Sequence, residues 1–203
     1  MTNADNDTIS FYNTHAVDFV RNTVNVEFTG VQDRFLKYIP EHGIILDFGC
    51  GSGRDTKYFL DKGYTVTAVD GSEELCRLAE EHTGIKVKCM LFNELDETAA
   101  YDGIWACSSI LHLSRTDLKD VFYRMIKAVK SGGYIYTSFK YGTFEGERNG
   151  RYFTDFTEES FGAFISGIQG VSVVEQWVNA DVRPGRNDEK WLNVILSCAA
   201  DQT

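Results

Sequence analysis

The chain has 203 residues, 43% of them hydrophobic and 25% charged, which is ordinary for one soluble globular domain. Thirty acidic residues against 20 lysines and arginines give a formal net charge of −10, so most of the surface should repel a polyanion and nucleic acid is disfavoured as a partner. No run of about 18 apolar residues could span a bilayer. A membrane is therefore not expected as a partner. The five cysteines are widely spaced and lack a C-x-x-C pair, so neither a disulfide framework nor a metal site is expected.

The N-terminal part of the chain carries weak structural signals. Its first ten residues are polar and acidic, so we expect no secretory signal, a cytoplasmic location and little order in that segment. Residues 11–28 contain many apolar side chains without one clean period, and we predict helical segments packed over the glycine-rich loop that follows in the chain. Residues 31–39 place apolar side chains at helical spacing and stop at Pro40, which predicts a helix.

Residues 44–72 hold the pattern around which the rest of the chain is organised. An apolar strand over 44–48 leads into a loop of alternating glycines, a helix follows over 54–62, and a second strand ends at Asp70. The glycines leave backbone N–H groups open to a ligand at the start of a helix. Acids near the carboxyl ends of neighbouring parallel strands, here Asp47 and Asp70, mark the edge where such sheets bind nucleotides.

Strands and helices continue to alternate along the chain. Strands are predicted over 64–69, 85–92, 102–108, 134–140, 171–178 and 191–198, and helices over 73–82, 116–129 and 157–165. The last two strands are separated by the 12 residues 179–190, a length that suits an antiparallel hairpin. The pattern predicts an α/β fold: a doubly wound, mostly parallel seven-stranded sheet with a C-terminal antiparallel hairpin and helices on both faces, in a single domain over residues 1–203.

The glycine loop matches a known motif. Asp47-Phe48-Gly49-Cys50-Gly51-Ser52-Gly53 has the form acid-x-Gly-x-Gly-x-Gly, and from about residue 30 to residue 199 the chain resembles the class I S-adenosylmethionine-dependent methyltransferases. The resemblance implies S-adenosylmethionine as the cofactor and S-adenosylhomocysteine as the product, with the loop backbone facing the methionine part and Asp70 binding the ribose. The implied cofactor site comprises Asp47, Gly49, Cys50, Gly51, Gly53, Arg54, Asp55, Asp70, Gly71, Ser72, Met90, Leu91, Phe92, Cys107 and Ser108.

One position departs from the family pattern. Many members carry an acid after the third strand, close to the adenine amino group, whereas this chain has Leu91 or Phe92 there. We expect backbone groups or Asn93 to take over that contact.

Three alternative interpretations stay open. A nicotinamide-dependent oxidoreductase would use G-x-G-x-x-G, but Arg54 stands where the third glycine would fall. A non-catalytic cofactor-binding module is compatible with the missing acid after the third strand. Over Arg151-Tyr152-Phe153 and the acid-rich helix that follows, the chain loosely resembles the tRNA wobble-uridine methyltransferases. The net charge of −10 disfavours tRNA as a substrate.

Methyl transfer is an in-line displacement at a carbon already activated by a sulfonium. Positioning can lower its barrier by about 7–11 kcal/mol, and no covalent intermediate is required. A general base is needed only where the acceptor must lose a proton. His112, in the loop after the fourth strand, is the first candidate for that role and Tyr12 the second. Alternatively, His112 is a loop residue that packs against its leucine neighbours.

The acceptor side of the site is expected from segments 141–156 and 179–190, with residues 1–30 as a helical cap over the cofactor. No Asn/Asp-Pro-Pro-aromatic signature and no Pro-Cys pair follow the fourth strand, so we predict a small acceptor with an N, O or S nucleophile. Guanidinium groups suit carboxylate and phosphate, which predicts an anionic group on that acceptor. The predicted acceptor-binding residues are Arg148, Arg151, Tyr152 and Arg183. The alternative is that these arginines pair with nearby surface acids.

Overall fold

A seven-stranded sheet forms the centre of the computed structural model, which describes residues 3–183, 185, 186 and 188–199. The strands are β1 Ile44–Phe48, β2 Thr65–Asp70, β3 Val87–Cys89, β4 Tyr101–Ala106, β5 Val129–Lys140, β6 Glu145–Arg148, β7 Arg151–Thr154, β8 Val171–Ala180 and β9 Lys190–Cys198. The helices are α1 Asn3–Thr23, α2 Thr29–Leu36, α3 Arg54–Asp61, α4 Glu73–Thr83, α5 Arg115–Ala128 and α6 Glu158–Ile165. The order in the sheet is β3-β2-β1-β4-β5-β9-β8, and β6 and β7 form a separate two-stranded sheet.

The predicted fold class is confirmed. The pairs among β1 to β5 are parallel, whereas β9 pairs antiparallel with both β5 and β8, so the chain ends in the expected hairpin. Side chains alternate between the two faces of each strand. Ile45 therefore packs with Phe35 of α2 and Phe59 of α3, while its neighbour Leu46 belongs to the cluster on the other face with Phe122 of α5.

The parallel register brings the carboxyl ends of the central strands to one edge of the sheet. Phe48 at the end of β1 pairs with Val69 of β2, and Asp70 pairs with Cys89 of β3. The glycine loop after β1, the acid that ends β2 and the turns after β3 and β4 therefore meet at that edge, as open α/β sheets require for ligand binding.

The beginning of the chain differs from the expectation. Little order was expected in the first ten residues, yet α1 runs from Asn3 to Thr23 with a kink at His15, and residues 1 and 2 lie outside the described part. Thr8 is buried and the side chain of Ile9 lies against Gly71. These contacts join distant parts of the chain, so the local polar composition did not reveal them.

Two boundaries differ from the sequence prediction. The third strand was expected over 85–92, but β3 ends at Cys89 and Phe92–Glu94 form a short 3-10 turn. Helix α5 ends at Ala128 because β5 already begins at Val129, five residues before the predicted start at Tyr134 (134 − 129). Gly132 and Gly133 lie inside this strand.

Segment 141–156 contains a β-hairpin that the sequence analysis missed. Strands β6 and β7 pair antiparallel, with Arg148 opposite Arg151. The turn between them is Asn149-Gly150, with φ of +53° and +74°. Asn-Gly at two positive-φ positions is the preferred two-residue hairpin turn, so the signal was present in the sequence. Among the described residues, no helix is both long and apolar enough to cross a bilayer.

Candidate active site

A cavity of about 720 Å³ opens at the carboxyl edge of the sheet, beneath α1. Its size lies in the range of small-molecule sites. Twelve of the fifteen predicted cofactor residues line it: Gly49, Cys50, Gly51, Arg54, Asp55, Asp70, Gly71, Met90, Leu91, Phe92, Cys107 and Ser108. The other three, Asp47, Gly53 and Ser72, lie behind the wall of the cavity and contact the residues that form it.

Asp47 supports the loop from inside the protein. Its side chain is buried and accepts a hydrogen bond of 2.5 Å from the Thr56 hydroxyl of α3. Burial raises the pKa of Asp47, and the neighbouring Asp55 carboxylate raises it further. Asp47 thus fixes the start of α3 against β1 without facing the cavity.

Glycine is required in the loop by the loop's own packing. Gly49 has φ +89°, and a Cβ there would lie 2.4 Å from the Cβ of Ser109. Gly53 has φ +75°, and its Cβ would lie 2.8 Å from Cγ2 of Thr83 in α4. Side chains at these positions would both strain the backbone and push the neighbouring elements apart.

Asp70 is held by backbone groups on both oxygens. Its Oδ2 accepts from the Gly51 N–H and its Oδ1 from the Ser72 N–H, both at 2.9 Å. Burial raises the pKa of Asp70, while these N–H groups lower it. No lysine or arginine of the described residues lies within ion-pair distance of it. Because each carboxylate oxygen has more than one lone pair, Asp70 keeps acceptor capacity on its cavity side.

A buried polar network closes the wall beside the loop. The Arg54 guanidinium donates to both oxygens of Asp55, at 2.8 and 2.9 Å. Trp105 Nε1 and Gln32 Nε2 also donate to Asp55, at 2.8 and 2.6 Å. Burial alone would raise the pKa of Asp55, but the Arg54 charge and these hydrogen bonds outweigh it and lower the pKa. Gln32 and Trp105 were not predicted, because helix and strand periodicity marks both as core positions.

The side of the cavity beyond Asp70 is apolar. A Cβ on Gly71 would lie 2.6 Å from Ile9 Cδ1 and 3.3 Å from Leu91 Cδ2. Phe92 is packed edge-on against Phe48, with ring centroids 4.8 Å apart. Leu91 and Phe92 both line the cavity, whereas the proposed substitute Asn93 does not.

Tyr12 and His112, the two predicted base candidates, are in contact on the other side of the cavity. The Tyr12 hydroxyl lies 2.8 Å from His112 Nε2, and His112 Nδ1 lies 2.7 Å from the carbonyl oxygen of Tyr152. Since a carbonyl only accepts, Nδ1 carries the ring proton and Nε2 accepts from the Tyr12 O–H. Burial lowers the pKa of His112 to about 4, and the Arg151 charge contributes in the same direction. The histidine is therefore neutral at pH 7.

The predicted acceptor-binding residues separate into two groups. Arg151 and Arg183 line the cavity, whereas Arg148 and Tyr152 do not. Arg148 pairs with Asp155 at 2.7 Å, and the Tyr152 hydroxyl donates to a surface glutamate.

Arg183 already has a carboxylate partner. It forms a two-point ion pair with Asp181, and Trp191 Nε1 donates to the same carboxylate at 3.0 Å. Burial would raise the pKa of Asp181, but the hydrogen bonds from Arg183 and Trp191 lower it to about 2. Both arginines thus pair with an acid, as the alternative interpretation proposed, but the two carboxylates are buried and do not lie on the surface.

Ser138 in the cavity wall and Asn13 beside it carried no recognised sequence signal. Ser108 has φ +53°, and its N–H donates to the Ser138 hydroxyl of β5 at 2.9 Å. From α1, Phe19 lies against Gly51 and Asn13 accepts from the Ser72 hydroxyl at 2.7 Å. Ile9, Tyr12 and Phe19 are spaced for one helical face, which a search for amphipathic helices would detect.

Comparison with known families and proteins places this geometry in context. Residues 45–133 match the family model described as "Methyltransferase domain". The chain is 30% identical over 105 residues to the ubiquinone biosynthesis O-methyltransferase of Hydrogenovibrio crunogenus, a match that covers 48% of this chain and 43% of that protein. The chain spans about half the length of the curated relatives it matches.

Two solved structures share the fold over nearly the whole chain. The 1,6-didemethyltoxoflavin-N1-methyltransferase of Burkholderia thailandensis, with bound 1,6-didemethyltoxoflavin and S-adenosylhomocysteine, has a TM-score of 0.79 at 19% identity and covers 98% of this chain and 92% of its own. The N-methyltransferase NodS of Bradyrhizobium japonicum WM9, in complex with S-adenosylhomocysteine, has a TM-score of 0.69 at 14% identity and covers 92% and 97%.

Proposed function

We propose that this chain is a class I S-adenosylmethionine-dependent methyltransferase that transfers a methyl group to an N, O or S nucleophile of a small, anionic acceptor, a proposal supported by the match of residues 45–133 to a methyltransferase domain. One observation carries the proposal. One cavity is lined both by a backbone-held carboxylate, Asp70, and by the cationic and aromatic side chains of Arg151, Tyr12 and Phe153. Such a cavity can take a cofactor and an acceptor together. S-adenosylhomocysteine is then the second product.

The residues at the Asp70 end fit the cofactor. Asp70 has free acceptor capacity for ribose hydroxyls, and the apolar slot of Ile9, Leu91 and Phe92 suits a flat base. The loop from Gly49 to Gly51 presents backbone at the start of α3. When bound, the cofactor supplies a methyl group activated by a sulfonium. Asp47, Gly53 and Ser72 support this site indirectly.

The protein's part in the reaction is to hold the acceptor in line and to exclude water. Residues 1–30 are proposed as the cap, and segments 141–156 and 179–190 as the acceptor-side wall, within one domain. Of these, residues 1, 2, 184 and 187 lie outside the described part. Productive alignment in such an enclosed site accounts for most of the barrier lowering that methyl transfer needs.

Calorimetric titration of the chain with S-adenosylhomocysteine tests the proposal. We expect micromolar binding that becomes roughly 100-fold weaker in Asp70→Ala, since hydrogen bonds to a charged group contribute about 1.5–3 kcal/mol each. The matched control is Asp61→Ala, which removes an exposed acid paired with Lys57 on α3. NAD is titrated in parallel. Binding of NAD without binding of S-adenosylhomocysteine would favour the oxidoreductase interpretation and overturn the proposal.

A methyl-transfer assay separates the catalytic proposal from a non-catalytic binding module. Small anionic metabolites, neutral metabolites and unmodified tRNA are incubated with S-adenosylmethionine, and release of S-adenosylhomocysteine is measured. We expect release with members of the anionic set. Turnover of tRNA alone would instead favour the wobble-uridine alternative, and binding without any turnover would favour the module.

A further inference from the structure

Most of the basic side chains that line the cavity are in contact with a carboxylate of the protein. Five lysines and arginines of the described residues line it, and four of them have a carboxylate partner. The pairs are Arg54 with Asp55, Lys140 with Glu189, Arg183 with Asp181, and Arg186 with Glu189. The fifth is Arg151, which has no carboxylate within 4.0 Å in the described part of the chain. A cation enclosed in a cavity without a counter-charge favours an anionic ligand.

The hydrogen-bonding state of Arg151 gives a second, independent indication. Its Nη1 donates to the Tyr12 hydroxyl at 3.2 Å. Its Nε is buried and has no hydrogen-bond acceptor among the described residues. A buried donor without a partner is unfavourable, and the Nε–Nη2 edge of a guanidinium matches the two oxygens of a carboxylate. Nη1 is the one guanidinium nitrogen of Arg151 that donates to an acceptor among the described residues, so Arg151 keeps unused donor capacity.

The pairing of the other basic residues singles out Arg151. Asp70, which also has no ion-pair partner among the described residues, is held by backbone N–H groups and assigned to the cofactor end. Lys140 and Arg186 share the carboxylate of Glu189, so Arg151 is the one lysine or arginine among the described cavity residues that has no carboxylate partner at all. Arg183 adds no net charge, because Asp181 already matches it at both oxygens.

Aromatic rings surround the Arg151 guanidinium. Its carbon lies 4.4 Å from the ring centre of Phe11, 5.1 Å from that of Phe153 and 5.6 Å from that of Tyr12. Leu111 and Trp191 also line the cavity. Flat apolar walls favour a planar ring on the ligand that carries the carboxylate.

The contact between Tyr12 and His112 bears on the nucleophile. His112 Nε2 already accepts the Tyr12 proton, and Nδ1–H is bonded to the Tyr152 carbonyl. The imidazole therefore has no free lone pair for a substrate proton, and burial lowers its pKa to about 4. A nucleophile that needed deprotonation would find no effective base here. A neutral aromatic amine needs none, because its lone pair is free at pH 7.

We propose that the acceptor is an aromatic monocarboxylate with a neutral nitrogen nucleophile, held through its carboxylate by Arg151, and that Tyr12 and His112 position Arg151 rather than remove a proton. This inference rests on the proposed function. In the reaction, the nitrogen lone pair forms the N–C bond while the C–S bond breaks with its electrons going to sulfur. The resulting arylammonium then releases its proton to water.

Equilibrium binding of matched probes to the chain loaded with S-adenosylhomocysteine tests the proposal. The probes are 2-, 3- and 4-aminobenzoate and 3-amino-2-naphthoate, each beside its own carboxamide. We expect at least one carboxylate to bind ten-fold or more tightly than its amide, and Arg151→Met to remove that difference. Arg151→Lys, which keeps the charge and loses the two-point contact, should retain part of it.

The control for these variants is Arg115→Met. Arg115 also stacks on an aromatic ring, 4.2 Å from the centre of Phe156, but it pairs with Glu145 and does not line the cavity. The carboxylate preference should survive in this variant. The inference is overturned if no carboxylate is preferred over its amide, or if Arg183→Met removes the preference while Arg151→Met preserves it.

Tyr12→Phe tests the positioning role. Loss of the hydroxyl frees Arg151 Nη1, so carboxylate binding should weaken several-fold while binding of the matched amide stays unchanged. A purely structural role for Tyr12 would weaken both probes equally and would contradict the assignment. Binding of S-adenosylhomocysteine is measured first in every variant. Its failure in the wild-type chain overturns the proposed function, whereas its success without carboxylate preference overturns only this inference.

Discussion

At the Asp70 end of the cavity, the hydrogen bonds of Asp70 and Asp47 are short in sequence, although Ile9 of α1 also reaches Gly71. Asp70 binds Ser72 two positions away and Gly51 nineteen away, and Asp47 binds Thr56 nine away. At the Arg151 end, Tyr12 contacts His112 across 100 positions and Arg151 across 139. A loop that binds through backbone N–H groups suits a cofactor that is the same in every reaction. A wall built from side chains of distant segments can bind a different acceptor after a single substitution. We therefore assign the Asp70 side of the site to the methyl donor and the Arg151 side to the acceptor, in line with the proposed function.

Gly49→Ala is expected to have the largest effect on the local end. The new Cβ would lie 2.4 Å from Ser109 Cβ at φ +89°. Overpacking and the left-handed backbone together should lower the free energy of unfolding by about 3–5 kcal/mol. Gly84→Ala is the matched control, because Gly84 has φ +77° but open space around its Cβ position. It should cost only about 1–2 kcal/mol. Equal losses in urea denaturation would show that packing at Gly49 is unimportant.

His112→Gln tests the Arg151 end of the cavity through the pH dependence of stability. The pKa of His112 is lowered from 6.5 to about 4 in the folded chain, so between these values the unfolded chain binds one more proton than the folded one. The contribution of His112 to stability is complete above pH 6.5 and falls on acidification by about 3 kcal/mol in total. The difference in unfolding free energy between wild type and variant should shrink by that amount from pH 6.5 to pH 4. A constant difference would mean that His112 titrates normally.

Gln32→Leu tests whether the Asp70 end of the cavity depends on a contact from outside residues 44–72. Gln32 reaches Asp55 from α2, 23 positions away, and is buried. Removing this hydrogen bond to a charged group should cost about 2 kcal/mol of unfolding free energy. Gln169→Leu, at an exposed position after α6, should change stability by no more than about 0.5 kcal/mol. If Gln32→Leu lowered the free energy of unfolding as little as the control does, the glycine loop and Asp55 would not depend on α2 for stability.

The sequence predicted the local end well because its signals are local. The strand, the glycine loop and the second strand lie within residues 44–72, where periodicity and glycine spacing are read directly. The hairpin at Asn149-Gly150 had an equally local signal that was interpreted only as a glycine-rich insertion. The order in α1 and the surroundings of Arg151 depend on contacts such as those of Tyr12 with His112 and Arg151, across 100 and 139 positions, and no short window along the chain contains them.

A crystal structure of the chain with S-adenosylhomocysteine tests the central claim most directly. We predict that the ribose hydroxyls lie about 2.7 Å from the Asp70 carboxylate, with the homocysteine part along Gly49 to Gly51 and the sulfur facing the space beside Tyr12 and Arg151. A cofactor bound elsewhere, or a ribose without contact to Asp70, would contradict the account.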